Sequence, residues 1–361
     1  MSVLHINLSN LRHNYNYIRS QLNSGIKIMG VVKANAYGGS DIEIAKYLQD
    51  LGIDYLAVAN AEEGALLRKN KISTPILVFS PQLEDLEKLF EYNLEPAIYN
   101  QTLLDKSLQL ALNGSLENYP IHLKFNTGMN RLGFSIQNVD SLKKVFPNQF
   151  LLIKSIYSHL GHSQEQSPFN QTLKQANKFN MIVSTLIGHI KPKPLLHLLN
   201  TSGIFNFPHL QYNMVRTGIG LYGFANDPLW DNFLKPVMKL ESKVIQIQKV
   251  HKGDYVGYSK GYKSEKDARV AIIPLGYADG ISRHSGNGRT QVWINGSSAS
   301  IIGNICMDLL MVDVSDIECK EQDKVEFFGF NQSAQEFAEN SGTITYEQLS
   351  RLGPRIKRKF T

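Results

Sequence analysis

The sequence predicts an α/β protein with an N-terminal (β/α)8 TIM-type barrel and a C-terminal, mainly β domain. Three observations lead to this prediction. Eight short apolar runs alternate with amphipathic segments before residue 230, as expected of a parallel barrel. No GxGxxG follows the first run, which disfavours the alternative of an open dinucleotide-binding sheet. After residue 235 the pattern becomes all-β, so we assign residues 1–230 to the barrel and 231–361 to the β domain.

Each apolar run is short enough for one barrel strand and is followed by a segment with helical spacing. The predicted strands are Ile26–Lys33, Asp54–Ala59, Pro75–Ser80, Leu94–Tyr99, Ile121–Phe125, Leu152–Ser158, Leu195–Leu199 and Asn213–Thr217.

The segments between the strands carry recognisable helix ends. Asp41–Leu51 is followed by Gly52, which tolerates the left-handed backbone that closes a helix. Asn60 precedes the next segment as an N-cap, with Glu63 three residues later. The predicted helices are Asp41–Leu51, Ala61–Asn70, Gln82–Tyr92, Thr102–Asn113, Ile136–Phe146 and Asn170–Gly188.

The second part of the chain shows strand and turn signals. Asn295-Gly296 between two apolar runs is a strong hairpin signal. One late helix is predicted to begin at Thr345, with Gln348 completing a capping box. The predicted strands are Lys243–Lys249, Gln291–Ile294, Ala299–Ile302, Met307–Val314 and Lys324–Phe328.

Composition and charge exclude several classes of protein. Hydrophobic residues make up 42% of the chain and charged residues 19%, as in a globular protein with a sizeable core. The net charge of +6 is scattered apart from a basic tail at residues 355–359, which we interpret as a solvated terminus, so nucleic acid is not an expected partner. No apolar run is long enough for a membrane helix, and no secretory signal is present, which indicates a cytoplasmic protein. Cys306 and Cys319 have no metal-binding spacing, so no metal is expected.

Polar residues at the predicted strand ends identify the candidate site, because barrel enzymes place their chemistry there. Singly, each has an ordinary structural explanation, and only their coincidence is informative. Four cationic side chains and one imidazole would meet at one mouth, which favours a polyanionic ligand. A lysine beside a phosphate site suggests a Schiff base with pyridoxal 5'-phosphate (PLP). The strand-end residues are Lys33, Lys124, Asn126, Arg131, Ser158, His159, Asn200, Thr201, Arg216, Gly218, Ile219 and Gly220.

Several of these residues lie in segments that resemble the alanine racemase family. Residues 31–38, VVKANAYG, resemble the PLP-lysine motif of that family. Residues 124–133, KFNTGMNRLG, are similar to its arginine segment, and 215–223, VRTGIGLYG, to its eighth-strand segment. Val256–Tyr258, Gly276–Gly280 and Cys306–Asp308 are similar to signatures of its β domain. The resemblance therefore covers the whole chain.

The resemblance implies a PLP-dependent homodimer that racemises L-alanine to D-alanine, with each active site completed by the other subunit's β domain. Lys33 would hold PLP and exchange the Cα proton on the D face, and Tyr258 of the second copy would do so on the L face. Arg216 would bond the pyridine nitrogen, with His159 acting through it to orient Tyr258. The remaining assignments are Tyr37, Thr201, Gly218, Ile219 and Asn200 for the cofactor, Arg131 for cofactor and substrate, Met307 and Asp308 for substrate, and Tyr277 and Arg283 for the entry corridor.

The sequence departs from the family pattern at several positions. Asn126 stands where aspartate is common, and Thr201 replaces a more usual serine but keeps the hydroxyl. Residues 351–354 contain no tyrosine, although many members place a phosphate-binding tyrosine near there. Lys124 matches a lysine that is carbamylated in some members.

Three alternatives remain beside alanine racemisation. Racemisation of serine or a broader set of small amino acids is chemically close, because one hydroxyl adds little discrimination in a small pocket. A non-catalytic PLP-binding protein would have no use for the β domain or Tyr258. A fold-type III decarboxylase would present an acid near the pyridine nitrogen, where this sequence has Arg216.

Overall fold

The computed structural model describes residues 2–146, 148–164 and 170–361. The chain divides into two compact units. The barrel unit consists of Arg12–Ala34 and Asp41–Lys235. The β unit consists of Met1–Leu11, Asn35–Ser40 and Pro236–Thr361. Residues 2–11 thus group with the C-terminal sheet, although the sequence analysis assigns residues 1–230 to the barrel domain.

Parallel strands form a closed barrel in the barrel unit, which confirms the predicted fold class. The second to ninth strands of the chain pair in sequence order, and the last pairs with the first. The strands are β1 (Val3–Ile6), β2 (Lys27–Val31), β3 (Tyr55–Val58), β4 (Ile76–Val78), β5 (Glu95–Ile98), β6 (Tyr119–Lys124), β7 (Leu151–Tyr157), β8 (Leu195–His197) and β9 (Met214–Thr217). Each of the eight predicted runs contains or overlaps one of β2–β9.

The predicted helices follow the strands, and their end signals hold. The Asn60 side chain accepts the Glu63 N–H at 3.0 Å, and Gly52 has a φ angle of +77°. The segments that begin at Gln82 and Ile136 each start with a 3₁₀ turn, so their α-helices are shorter than predicted. The helices of this part of the chain are α1 (Leu8–Ser20), α2 (Lys33–Tyr37), α3 (Asp41–Asp50), α4 (Ala61–Lys69), α5 (Leu86–Glu91), α6 (Gln101–Asn113), α7 (Val139–Val145), α8 (Asn170–Leu186), α9 (Thr201–Asn206) and α10 (Pro228–Asp231).

The β unit is built on a nine-stranded sheet and a two-stranded ribbon among the described residues. Ile294 pairs with Ser297 across the Asn295-Gly296 turn, which confirms the predicted hairpin. The elements are β10 (Met238–Lys243), β11 (Gln246–Val250), β12 (Tyr255–Val256), β13 (Tyr262–Lys263), β14 (Ala268–Ile273), β15 (Gln291–Ile294), β16 (Ser297–Ile302), β17 (Leu310–Asp313), β18 (Lys324–Phe328), α11 (Ala334–Asn340), α12 (Thr345–Ser350) and β19 (Lys357–Phe360).

The interpretation of the basic tail as a solvated terminus is wrong for Arg355 and Arg358, whose side chains both bind other parts of the β unit. Residues 357–360 form β19, which pairs in parallel with β1. Arg355 is ion-paired to Asp279 at 2.9 Å and to Asp308 at 2.7 Å. Arg358 donates to several backbone carbonyls, among them Gly38 O at 2.8 Å.

Other predictions for the β unit also need correction. The chain has a helix before the predicted late one, α11, whose Ser333 and Glu336 form a capping box. Thr345 is the first helical residue of α12 rather than its cap, and Ile344 at the cap position provides no side-chain hydrogen bond. The predicted strand at Met307 begins only at Leu310, after an exposed bend.

Gly38 occupies a position where a side chain would be both strained and obstructed. Its φ angle is +82°, and a Cβ atom would lie 2.2 Å from the Leu349 carbonyl oxygen. Gly296 has the same φ angle of +82°, but a Cβ atom there would meet nothing within 4 Å. We expect Gly38→Ala to lower the free energy of unfolding by about 3 kcal/mol, because it combines backbone strain with overpacking.

Gly296→Ala is the matched control for Gly38→Ala. It should cost only about 1 kcal/mol, since the backbone strain is its sole penalty. Urea denaturation of both variants measures the difference. Equal losses would show that the α12 backbone near Leu349 moves aside without cost.

No helix among the described residues is long and apolar enough to cross a membrane.

Candidate active site

Lys33 lies just beyond the carboxyl end of β2, where the first barrel strand passes into α2. Residues 34–37 all have positive φ angles, between +51° and +56°, so α2 is a left-handed turn. Glu63 fixes the start of this turn. Its carboxylate oxygens accept the N–H groups of Ala34 at 2.8 Å and Ala59 at 2.7 Å. Four left-handed, non-glycine residues store backbone strain of the kind found at functional sites.

The pKa of the Lys33 amine is lowered, chiefly by burial and further by the charge of Arg131. The carboxylate of Glu63 opposes the shift. A lowered pKa increases the fraction of neutral amine at neutral pH, and the neutral amine is the form that attacks an aldehyde. Lys33 is therefore suited to hold a carbonyl-bearing ligand.

Lys124 ends β6 and is buried beside the same positive charges. Its pKa is lowered to about 8 by burial and then by the charges of Arg131, Arg216 and Lys33. The Lys124 ammonium lies 5.8 Å from the centroid of the Tyr157 ring. The structure thus brings Lys33, Lys124, Arg131 and Arg216 to one end of the barrel, as the strand-end argument predicts.

Arg216 lies on β9 and is 3% exposed. Its guanidinium donates to the carbonyls of Ser158 at 2.7 Å and Leu198 at 3.1 Å. It also donates to Nδ1 of His197 at 2.7 Å. Burial is the main cause that lowers the pKa of Arg216 to about 10, so it stays cationic at neutral pH.

His159 is held neutral beside Arg216. Its Nδ1 lies 3.3 Å from the Arg216 guanidinium, and it must accept because an arginine only donates. Burial lowers the pKa of His159 well below its usual value, and the charges of Arg216 and Arg131 add to the effect. The proton of the neutral ring is then on Nε2, which can donate to a further group.

Thr201 and the loop after β9 form a cluster of hydroxyl and backbone donors. The Thr201 hydroxyl accepts the N–H groups of Gly218 at 3.4 Å and Gly220 at 3.3 Å. Ile219 lies between these glycines and is buried. Neutral N–H and O–H donors of this kind suit a phosphate group.

Asn200 positions this cluster as the N-cap of α9. Its Oδ1 accepts the Gly203 N–H at 3.0 Å and the Ser163 hydroxyl at 2.7 Å. Its Nδ2 donates to the Leu160 carbonyl at 3.3 Å. These contacts fix the start of the helix on which Thr201 stands.

Asn126 shapes the loop that carries Arg131. Its Oδ1 accepts the N–H groups of Gly128 and Asn130, each at 3.0 Å. Both contacts need only an oxygen acceptor, which an amide supplies as well as a carboxylate. Asparagine at this position is therefore sufficient to form the loop.

Four of the predicted residues of the β unit are exposed. Tyr258 is 69% exposed, and its carbonyl accepts the Asn304 side chain at 2.9 Å. Tyr277 and Met307 are 44% and 54% exposed, and the Tyr277 N–H is bonded to the neighbouring Cys306 carbonyl. Asp308 is exposed, and its carboxylate is held by Arg355.

The other two predicted residues of the β unit are Arg283 and Tyr37. Arg283 is exposed in a short 3₁₀ turn. Tyr37 is buried against Tyr346, with ring centroids 6.0 Å apart, and burial raises the pKa of its hydroxyl.

Sequence reasoning missed Tyr157, which lies at the centre of the cationic cluster. Its ring stacks on His197 at 4.6 Å and lies 5.4 Å from the Arg216 guanidinium carbon. Its buried hydroxyl has no hydrogen-bond partner within the described part of the chain. A buried hydroxyl without a partner, beside several cations, fits an additional anionic or polar group. The position of Tyr157 at the end of β7 was the available signal.

The described residues contain no cluster of His, Cys, Asp or Glu that could hold a metal ion. The lysine of lowered pKa, the donors suited to phosphate and the buried arginine all belong to strand ends of one barrel, where barrel enzymes place their active sites. Residues 6–226 match the family model for the alanine racemase N-terminal domain, and 237–360 match that for its C-terminal domain. The chain belongs to the alanine racemase family, whose members depend on PLP.

Individual alanine racemases are similar to this chain over nearly its full length. The alanine racemase of Thermodesulfovibrio yellowstonii is 34% identical over 364 residues, which cover 98% of this chain and 96% of that protein. The solved alanine racemase of Clostridium difficile 630 matches with a TM-score of 0.92 and 34% identity, covering 100% of this chain and 95% of that one. An alanine racemase of Bartonella henselae, solved with covalently bound PLP, matches with a TM-score of 0.90 and 29% identity, covering 100% and 99%.

Proposed function

We propose that this protein interconverts L-alanine and D-alanine with PLP bound to Lys33. The observation that carries the proposal is the Lys33 amine, whose pKa is lowered among the cationic neighbours described above. When bound, PLP withdraws electrons from the substrate and so acidifies its Cα–H bond. The chain's own residues then have to hold the cofactor and move one proton.

Cofactor binding is assigned to residues whose donors suit each part of PLP. The phosphate is assigned to Tyr37, Thr201 and the backbone of Gly218 and Ile219. Arg216 bonds the pyridine nitrogen, and Arg131 faces the phenolic oxygen and the substrate. His159 and Asn200 support these contacts through Arg216 and through the cap of α9. Residues 351–354 contain no tyrosine, and Tyr37 provides the one phenol that we assign to the phosphate.

Arg216 also limits what the cofactor can do. Its pKa of about 10 keeps it cationic, so it donates a hydrogen bond to the ring nitrogen and does not protonate it as a carboxylic acid would. An arginine that donates at this position without giving up its proton would therefore disfavour transamination as a side reaction.

Two groups exchange the Cα proton from opposite faces of the substrate. Lys33 Nζ serves the D face, and the Tyr258 hydroxyl of a second copy serves the L face. The high exposure of Tyr258 supports a role at a subunit interface, where a second chain would cover it. His159, neutral and protonated on Nε2, would orient Tyr258 as a link to Arg216.

The remaining assignments concern the substrate and the electrostatic balance. Met307 and Asp308 of the second copy border the substrate, and Tyr277 and Arg283 line its entry. Lys124 is a candidate for carbamylation, because its pKa of about 8 leaves a substantial neutral fraction that can react with carbon dioxide. The resulting carbamate anion would balance the charges of Arg131 and Arg216.

The proposal includes a homodimer, a cytoplasmic location and a role in supplying D-alanine for peptidoglycan. The homodimer and the supply of D-alanine follow from the family resemblance, and the location is the one expected from the sequence.

A coupled assay tests the reaction directly. Purified protein with PLP is given L-alanine, and D-alanine is detected with D-amino-acid oxidase. We expect kcat/KM for L-alanine to exceed that for L-serine by no more than about a hundredfold, because a site discriminates only weakly against one added hydroxyl. A higher value for serine would reassign the substrate. Bound PLP without any racemisation would indicate a non-catalytic PLP-binding protein.

A further inference from the structure

A chain of four hydrogen bonds crosses the barrel interior from Arg216 to Glu95. Arg216 contacts Nδ1 of His197 at 2.7 Å, and Nε2 of His197 contacts the Ser155 hydroxyl at 2.8 Å. Ser155 contacts Nδ1 of His122 at 2.6 Å, and Nε2 of His122 contacts Oε2 of Glu95 at 2.7 Å. We call these five residues the barrel relay.

The barrel relay takes one residue from each of five adjacent strands, β5 to β9. His122, Ser155 and His197 are 0% exposed, and Glu95 is 7% exposed. Ser155 is the register partner of His122 across the β6–β7 pair. Buried polar groups are costly unless each has a partner, so a connected chain at this depth is a built feature.

The chemistry of its two ends fixes the direction of the barrel relay. Arg216 can only donate, so His197 accepts on Nδ1 and carries its proton on Nε2. That N–H donates to Ser155, whose hydroxyl donates to Nδ1 of His122. The Nε2–H of His122 donates to the Glu95 carboxylate. Every polar hydrogen that links two residues of the barrel relay then has an acceptor.

The reverse arrangement of the acidic half leaves one hydrogen unsatisfied. If Glu95 were protonated and donated to His122, the Nδ1–H of His122 would point at Ser155. Ser155 would then receive two N–H groups, one from each histidine. Its own hydroxyl hydrogen would need a third partner, and the described residues provide only these two for the Ser155 oxygen.

We propose that Glu95, His122 and Ser155 are positioning residues that act through His197 to hold Arg216 in place for the cofactor ring nitrogen. This rests on the function proposed above. Arg216's direct hydrogen-bond partners among the described residues are all uncharged carbonyls and imidazoles. Glu95 is the anionic end of the barrel relay, and it polarises each bond toward Arg216.

A buried carboxylate commonly sets the tautomer of a histidine that it contacts. In the barrel relay, Glu95 does this for His122, and Ser155 extends the effect to His197. With one edge of its guanidinium engaged by His197 and another by backbone carbonyls, Arg216 cannot swing away from the mouth of the barrel. Breaking the barrel relay in its middle should therefore affect the chemistry more than substrate binding.

The hydrogen positions can be measured in protein labelled with 15N-histidine. NMR of the imidazole nitrogens distinguishes the two neutral tautomers, with or without cofactor. We expect His122 and His197 both to be protonated on Nε2. Protonation of His122 on Nδ1 would overturn the proposal, because the series of hydrogen bonds in the barrel relay would then be interrupted at Ser155. This measurement is independent of whether the protein is a racemase.

Substitution of Ser155 in the holoenzyme tests the effect on Arg216. Ser155→Ala should lower kcat about tenfold to a hundredfold with little change in KM, because only positioning is lost. Ser155→Thr keeps the hydroxyl and should restore most of the rate. Glu95→Gln keeps an acceptor but removes the charge, and should fall between wild type and Ser155→Ala.

Ser107→Ala is the matched control. Ser107 is also 0% exposed in the barrel unit, and its hydroxyl has no partner among the described residues. Its kcat should stay within about twofold of wild type, since no network is broken. If Ser155→Ala behaves like Ser107→Ala, or if Ser155→Thr fails to restore the rate in a folded protein, the positioning role is excluded. That outcome would leave the proposed racemase function intact, because the activity of the wild-type protein tests that function separately.

Discussion

Lys33→Ala is expected to lower racemisation about a thousandfold or more and to abolish covalent attachment of the cofactor. In the proposed mechanism, the lysine provides both the amine that binds the PLP aldehyde and the group that exchanges the proton on the D face. Burial lowers the pKa of Lys33, which makes its amine a suitable partner for an aldehyde. The adduct is measured by borohydride reduction and mass spectrometry of the peptide that contains residue 33.

The control for Lys33→Ala is Lys27→Ala, at the opposite end of the same strand. Lys27 is 42% exposed and pairs with Asp54 at 3.4 Å, an interaction worth little at the surface. Its activity and borohydride adduct should stay close to those of wild type. An adduct that persists at another lysine in Lys33→Ala, or retained turnover, would remove Lys33 from the proposed mechanism.

The barrel was predictable because its local patterns are strong. Strands buried on both faces appear in the sequence as short continuous apolar runs, and all four residues of β3 are indeed buried. The Asn60 cap and the Gly52 helix end have local causes that operate in the same way in any fold. The sequence therefore predicted each barrel strand to within a few residues.

Pairing between distant segments was not predictable from those patterns. β1 and β19 lie at opposite ends of the chain and pair with each other, so the neighbours of neither strand in sequence reveal the partner. For the same reason the basic tail looked like a solvated terminus. Arg355 and Asp279 are 76 positions apart in the sequence, so their ion pair forms only when the segment between them is folded.

The candidate site was partly predictable because strand ends in a barrel converge. Lys33, Lys124 and Arg216 were placed together by that rule, and their mutual charge effects agree with it. The sequence did not predict the barrel relay, because the identity of a polar residue within an apolar strand does not show which way its side chain points. Its signal was a histidine in each of β6 and β8, with an acid at the start of β5, and only the strand register joins them.

The proposed sharing of active sites between subunits predicts a specific rescue. Lys33→Ala and Tyr258→Phe should each be nearly inactive as homodimers, because each site then lacks one of its two proton-exchange groups. Loss of the tyrosine base is expected to cost about a hundredfold or more. If Lys33 of one chain works with Tyr258 of the other, a mixed dimer has one site with both substitutions and one with neither.

The mixed dimer is obtained by co-expressing the two variants with different affinity tags and purifying on both. It should show about half the activity of the wild-type dimer, since one of its two symmetric sites is intact. A doubly tagged dimer of two Lys33→Ala chains is the control and should stay inactive. If Lys33 and Tyr258 act within one chain, both sites of the mixed dimer are defective, and its activity remains at the level of the parents. Failure to recover any doubly tagged species would instead exclude the dimer itself, because both tags can be retained together only when two chains associate.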